Sequence, residues 1–276
     1  LDDAQRFLGA VPLDRLLRSK RPVPIVDLAE VERRRVRADQ DQEEVARLFQ
    51  RYDLVAAPVV DAEDRLVGII THDDIADVIE EEAEEDIKAL GGVTHDEELS
   101  DTVWTIARGR FNWLLVNLAT AFLASSVLGM FEGQLQAMVA LAVLAPIVAS
   151  QGGNATTQTM TVAVRALATQ DLSGANAKRV VIREITVGLL NGIAFAVITG
   201  VAAYVWFRVP GLGIVIGLAM ICNLIAAGAG GILIPLALNR LKIDPAVASS
   251  PFVTTVTDVV GFFSFLSIAT LWFGLR

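Results

Sequence analysis

Two hydropathy patterns divide the chain near residue 110. Beyond that point uncharged runs dominate. Residues 111–131 carry no charge and match one membrane crossing, which takes about 20 mostly apolar residues. Residues 133–164 are uncharged over 32 positions. One helix of that length would reach about 48 Å at about 1.5 Å per residue, more than the hydrocarbon core, so it must tilt, kink or project. Pro146 and Gly152-Gly153 are the expected distortions. The pattern predicts five transmembrane helices, at about 111–131, 135–168, 182–207, 212–239 and 249–274. Before residue 110 the apolar positions come in short runs. They predict an amphipathic helix around Val45, Leu48 and Phe49, a strand over 57–60 and a second short strand before a long acidic helix.

That first part contains a repeat. Asp61-x-x-x-Arg65-Leu66-Val67-Gly68-Ile69-Ile70-x-x-Asp73-x-Ile75 echoes Asp2-x-x-x-Arg6-Phe7-Leu8-Gly9-Ala10-Val11-x-x-Asp14-x-Leu16 at an offset of 59 residues. Each copy reads as turn, buried strand and a helix capped by Asp14 or Asp73. The pattern resembles a pair of CBS domains, which sense adenine nucleotides or ions and regulate an attached channel or enzyme. A purely structural α/β repeat would carry the same pattern. The first copy lacks its beginning and the chain starts at Leu1 without methionine, so upstream sequence is expected. The expected organisation is a partial CBS pair over 1–86 (1–30 a remnant, 31–86 the second repeat) and a linker with a connecting helix over 87–110, around Val103, Trp104 and Ile106. The transmembrane domain then spans 111–276. The fold class is an all-α polytopic membrane bundle preceded by an α/β CBS-type regulatory domain with a truncated first repeat.

Charge sharpens the division. Residues 1–110 carry 27 acids and 15 bases, and the rest carry five and eight. Arg108, Arg110, Arg165, Lys178, Arg179, Arg183, Arg240 and Lys242 fall on the side of the N-terminal region, and only Arg208 and Arg276 on the other. The positive-inside rule therefore predicts a cytosolic N-terminus and an outward C-terminus in a multi-pass protein of the cell (inner) membrane. One cysteine and two histidines exclude an internal disulfide and a Cys- or His-rich metal cluster. There is no Gly-x-Ser-x-Gly elbow and no Walker-type lysine loop, so neither an enzyme nor an ATP-driven pump is expected, and nothing points to nucleic acid.

Within the fifth predicted span stands Asp258, the one charge between Pro245 and Leu275. An ionisable group there costs roughly 2.5–3.5 kcal/mol on insertion scales and marks an ion or proton path. Thr254, Thr255 and Thr257 lie within the preceding turn. The second span carries Gly152-Gly153-Asn154-Ala155-Thr156-Thr157-Gln158, where the glycines permit close backbone approach and Asn154 and Gln158 share a face. Small-residue helix packing explains the glycines but not the carboxylate. Counted from the flanking bases and loops, Asn154 and Asp258 lie at similar depth, in the inner half of the membrane. Upstream, Asp73, Asp74, Asp77, Glu80, Glu81, Glu82, Glu84, Glu85 and Asp86 form an acidic run, and Asp74, Asp77, Glu81 and Glu85 share one helical face. Like charges so placed repel unless cations neutralise them, and hard oxygen ligands suit Mg²⁺ or Ca²⁺. A solvated helix face is the plain alternative.

Together Gly152-Gly153-Asn154-x-x-x-Gln158, Val164-Arg165-Ala166-Leu167-Ala168, Asp244-Pro245-Ala246 and Thr257-Asp258-Val259, with Asp41-Gln42-Glu43-Glu44-Val45-Ala46 upstream, resemble the MgtE family of magnesium channels and transporters. The resemblance covers nearly the whole chain and lacks the family's acidic N-terminal helical domain. It implies a homodimer in the lipid bilayer with a pore on its axis. Asp258 would be the ion-binding carboxylate, and Gly153, Asn154, Thr254 and Thr255 would line the pore. It implies regulatory Mg²⁺ at Asp53, Asp74, Asp77, Glu82, Glu85 and Asp86, with Asp244 as the loop acid facing them, and an adenine nucleotide as a further CBS ligand. Ser250 and Thr254 depart from the family pattern, an asparagine and a smaller residue being expected there.

Mg²⁺ holds its water tightly. One carboxylate per subunit, doubled by two-fold symmetry, would balance a hydrated divalent ion, with amide and hydroxyl oxygens binding its waters. The expected function is Mg²⁺ import, gated by cytosolic Mg²⁺ at the acidic region. Two alternatives keep the architecture: a CBS-regulated transporter of another divalent cation or a proton-coupled solute, and a membrane-tethered nucleotide sensor.

Overall fold

The computed structural model describes residues 1–20, 22–30, 34–94, 97–169, 172 and 174–275, and they divide into two compact units, Leu1–Glu85 and Asp86–Arg276. The first unit holds α1 (Leu13–Arg18), α2 (Ile25–Leu28), β1 (Val36–Arg37), α3 (Gln42–Tyr52), β2 (Ala56–Val60), β3 (Leu66–Thr71) and the start of α4 (His72–Leu90). Its sheet has the order β1-β2-β3, with β1 parallel and β3 antiparallel to β2. The predicted amphipathic stripe closes one side: Val45, Ala46 and Phe49 of α3 pack with Val36, Ala57 and Ile75. Asp41 starts α3 by accepting from the Glu43 and Glu44 N–H groups.

The 59-residue repeat is built in the backbone. The Asp61 carboxylate accepts from the Glu63 and Arg65 N–H groups, and Asp2 accepts in the same way from Ala4 and Arg6. Left-handed backbone recurs at the same offset, at Gln5 (φ 60°) and Asp64 (φ 62°). The two turns dock on each other, Phe7 N–H donating to the Asp64 carbonyl and Leu66 N–H to that of Gln5. A shift of 59 exchanges these two bonds, so the turns are related by a local two-fold.

Helix starts differ from the sequence expectation. No side chain caps α1, whose N-cap is Pro12. At α4 the capping acid is Asp74 rather than Asp73: it accepts from Thr71 N–H at 2.8 Å and from the Thr71 hydroxyl at 2.6 Å. An acid three residues into the helix reaches back to the N-cap, as in half of a capping box. The Thr71 hydroxyl, then its N–H, hold the Asp74 carboxyl below the ordinary carboxylate value.

The second unit contains α5 (Val103–Gly129), α6 (Glu132–Ala137), α7 (Val139–Ala168), α8 (Gly174–Phe207), α9 (Leu212–Arg240) and α10 (Pro245–Phe273). Among the described residues five helices are long and apolar enough to span a membrane: α5, α7, residues 176–207 of α8, α9 and residues 250–273 of α10. Helix α5 is N-capped by Thr102, and no helix breaker follows. Residues 103–110, expected in a connecting helix, are therefore the first turns of the first spanning helix, with Val103 and Trp104 exposed. The preceding loop folds back, Glu97 pairing with Arg110. The long uncharged run breaks at Met138 (φ −141°, ψ 92°) between α6 and α7, not at Pro146 or Gly152-Gly153. Helix α7 runs unbroken through all three for 30 residues.

Helix α9 is the centre of the bundle, packed by α7, α8 and α10. Leu212, Val215, Ile216, Met220 and Leu224 are wholly or almost wholly buried against Leu141, Leu144 and Val148 of α7 and Phe265 and Leu266 of α10. Small residues bring α8 and α9 close: Cβ atoms built at Gly188 and Gly228 would lie 2.3 Å from the Leu224 carbonyl oxygen and 2.5 Å from that of Glu184. Such backbone approach needs glycine. At the other end of the bundle, Ala89 and Leu90 of α4 pack with Met160 and Val164 of α7, Ile234 of α9, and Ala246 and Val253 of α10.

Two outcomes follow. Gly228→Val drives a side chain into the α8 backbone and lowers the stability of the purified protein by about 1–3 kcal/mol, read by thermal unfolding in detergent. Thr71→Val removes the hydroxyl donor to Asp74, and the carboxyl pKa, followed by NMR titration, rises toward its ordinary value. Because that pKa is depressed in the folded state, the stabilisation is present at neutral pH and lost as pH falls through the folded value. The variant keeps the Thr71 N–H donor and loses the hydroxyl's share of this dependence.

Candidate functional site

Helix α10 is started by Asp244, whose carboxylate accepts from Ala246 N–H at 2.8 Å, with Pro245 as its first residue. Nearly four turns on stands Asp258, half-buried and the sole charge in the helix. Among the described residues it has no hydrogen-bond or ion-pair partner. The three threonine hydroxyls beside it bond to their own helix. Thr254 donates to the Ser250 carbonyl, Thr255 to Pro251, and Thr257 to Val253 and Thr254. Their hydrogens are thus committed to the backbone, and only their lone pairs remain to accept from water. Thr255 and Thr257 are buried, at 9% and 0% exposure, whereas Thr254 is partly open.

Helix α7 approaches α10 at this level. A Cβ built on Gly153 would stand 3.9 Å from the Thr254 methyl carbon, and one on Gly152 would meet the Asn223 side chain, which also lies against Gly261. Thr254 and Gly261 bracket Asp258 by about one turn on either side, so the glycine pair lies level with the carboxylate. Asn154, the next residue, is exposed.

It belongs to a longer feature. Asn154, Thr157, Gln158 and Thr161 are all exposed and stand at i, i+3, i+4 and i+7, and exposed Ser150 and Arg165 extend the same face. The stripe is about 22 Å long. Thr157 and Thr161 donate to the Gly153 and Thr157 carbonyls, so they too present lone pairs outward. Sequence reasoning singled out Asn154 and Gln158 and missed the two threonines. Their signal, Asn154-x-x-Thr157-Gln158-x-x-Thr161, is a helical period of polar residues inside an uncharged span. Asn223 was also missed, although it is the only amide or charge between Leu212 and Leu238.

The acids of the regulatory part have local partners or stand in solvent. Asp53 is the left-handed C-cap of α3 (φ 47°, ψ 47°). Asp74 caps α4, and Glu82 accepts from the Gln42 side chain at 2.8 Å. Asp77 is exposed, and Glu85 and Asp86 are partly exposed along α4. Among the described residues no three His, Cys, Asp or Glu side chains converge as a metal site would require.

Known proteins resemble both parts. Residues 28–81 match the CBS domain model, and residues 145–268 match the MgtE model, described as a divalent cation transporter. The magnesium transporter MgtE of Thermus thermophilus is 38% identical over 98% of this chain, and those of Enterococcus faecalis and Bacillus subtilis are 35% and 36% identical over 99% and 84%. The chain spans 60%, 60% and 51% of the length of these relatives. Two solved structures align with less than a third of it. One is the soluble part of a magnesium transporter (37% identity, TM-score 0.29, 30% of this chain and 32% of that one). The other is the cytosolic domain of the Mg²⁺ channel MgtE in complex with ATP (42%, TM-score 0.28, 28% and 32%). With a CBS domain, five membrane-length helices among the described residues and relatives above one-third identity along nearly its whole length, the chain is similar in both its parts to the MgtE family.

Proposed function

We propose that the chain conducts Mg²⁺ across a membrane, through a path lined by α7 and α10 in which Asp258 binds the hydrated ion. The observation that carries this reading is the unpartnered Asp258 carboxylate in α10, beside the Gly152-Gly153 pair of α7. A charge left alone in hydrocarbon is costly, and a water-filled cation path removes the cost. The polar stripe from Ser150 to Arg165 supports the same path, because its exposed amides and hydroxyls would be expensive against lipid. A second copy related by a two-fold would cover that face and bring two carboxylates to the axis. Carboxylate, amide and hydroxyl lone pairs are acceptors, and the waters of Mg²⁺ donate hydrogen bonds outward. The ion would thus pass with most of its hydration shell, avoiding the dehydration that Mg²⁺ resists.

Direction follows from charge. The N-terminal side carries the bases Arg108, Arg110, Arg165, Arg179, Arg183 and Arg240, which supports a cytosolic N-terminus. A potential negative inside draws a divalent ion inward with about 4.6 kcal/mol per 100 mV. Transport, not catalysis, is the activity.

Regulation is the second element of the proposal. Helix α4 carries nine acids and one lysine between His72 and Leu90, and its last turn packs on the ends of α7, α9 and α10. Cytosolic Mg²⁺ would neutralise this face and favour a closed state, and low Mg²⁺ would let the charges separate. Because no three acids converge among the described residues, we assign the effect to neutralisation of a charged surface. An adenine nucleotide at the CBS region is a compatible second effector.

In proteoliposomes holding a potential but no pH gradient, the wild type carries Mg²⁺. Asp258→Asn, of nearly the same shape, lowers that flux at least about tenfold. Equal flux in the two would remove the assignment, and flux that requires a pH gradient would favour proton coupling. Asp77→Asn combined with Glu85→Gln shifts the inhibiting internal Mg²⁺ concentration upward, measured with clamped internal Mg²⁺. An unchanged inhibition curve would dissociate α4 from gating.

A further inference from the structure

Asn223 is wholly buried in α9, and its Nδ2 donates to the Val148 carbonyl of α7 at 2.7 Å. A carbonyl oxygen only accepts, so the amide nitrogen must face it, and Oδ1 points the other way. Among the described residues Oδ1 has no donor. The side chain sits in a slot formed by two glycines from different helices. A Cβ on Gly152 of α7 would lie 2.2 Å from Nδ2, and one on Gly261 of α10 2.8 Å from the same atom. Both glycines are thus shaped to the amide, and any larger residue at either position would collide with it.

The slot lies at the functional level of the bundle. Gly152 adjoins Gly153-Asn154, and Gly261 is three residues beyond Asp258. Val148, the tied residue, is two positions past Pro146, where α7 lacks a backbone donor. A packing role alone would be met by leucine, which has the same shape and no polar atoms to satisfy.

We propose that Asn223 is a positioning residue for ion binding, a spacer and tie that sets the separation of α7 and α10 beside Asp258. The inference rests on Asp258 as the ion-binding carboxylate. If the amide sets where α7 stands relative to that carboxylate, altering it changes how well the ion is held. A change that only weakened folding would reduce the amount of active protein and leave the affinity alone.

The test separates these quantities. Mg²⁺ flux is measured over a range of Mg²⁺ concentrations in proteoliposomes containing wild type, Asn223→Leu, Gly261→Ala or Asp258→Asn, each normalised to folded protein. Asn223→Leu is expected to shift the half-saturating Mg²⁺ concentration at least about threefold. Gly261→Ala, which pushes on the same amide from α10, is expected to shift it as well, and it carries the reading if Asn223→Leu does not assemble. Half-saturation unchanged in the assembled variants, with only the maximum flux altered, overturns the proposal. Full flux in Asp258→Asn would instead overturn the site reading on which it rests.

Discussion

One uncompensated carboxylate constrains the membrane part of this protein. Asp258 stands in a helix that is otherwise free of charge, and among the described residues it has no partner. Hydrocarbon surrounds such a group only at a cost, which the proposed water-filled cation path would remove. The surrounding chemistry is consistent with such a path. Thr254, Thr255 and Thr257 spend their hydrogens on their own backbone, leaving an environment rich in acceptors and poor in donors, which suits the outward-pointing waters of a hydrated ion.

Close packing lets this helix stand where it does. Helix α9 occupies the centre, with Gly188 and Gly228 letting α8 and α9 approach to backbone contact. Its one strongly polar residue in the span, Asn223, reaches α7 and fills the space between Gly152 and Gly261. The same bundle receives the end of α4 among Met160, Val164, Ala246 and Val253. The last turn of α4 and the ends of α7, α9 and α10 therefore share one apolar cluster.

Much of this was legible in the chain. Spans follow from uncharged length, and the five helices appear where long apolar runs stand. The 59-residue echo proved to be paired Asp turns because an Asp at the turn start, with left-handed backbone three residues on, is a local device. Local ambiguity hid other features. Asp73 and Asp74 are chemically alike, and only the register of α4 against Thr71 decides which one caps it. Asp53, Asp74 and Asp244 sit at helix ends, where a carboxylate serves capping and ligation equally well in sequence. Pro146 and Gly152-Gly153 suggested a break, yet α7 continues as a helix through them, and the chain breaks at Met138 instead. Asn223 acquires meaning only from Val148, 75 residues away.

The central claim is that Asp258 holds a hydrated divalent ion inside the membrane. Anomalous diffraction from lipid-grown crystals soaked with Mn²⁺ in place of Mg²⁺ tests it most directly. The account predicts a peak between α7 and α10 at the level of Asp258, too far from the carboxylate for full dehydration, and its loss in Asp258→Asn. A peak of equal height in that variant, or none at that level in the wild type, would contradict it.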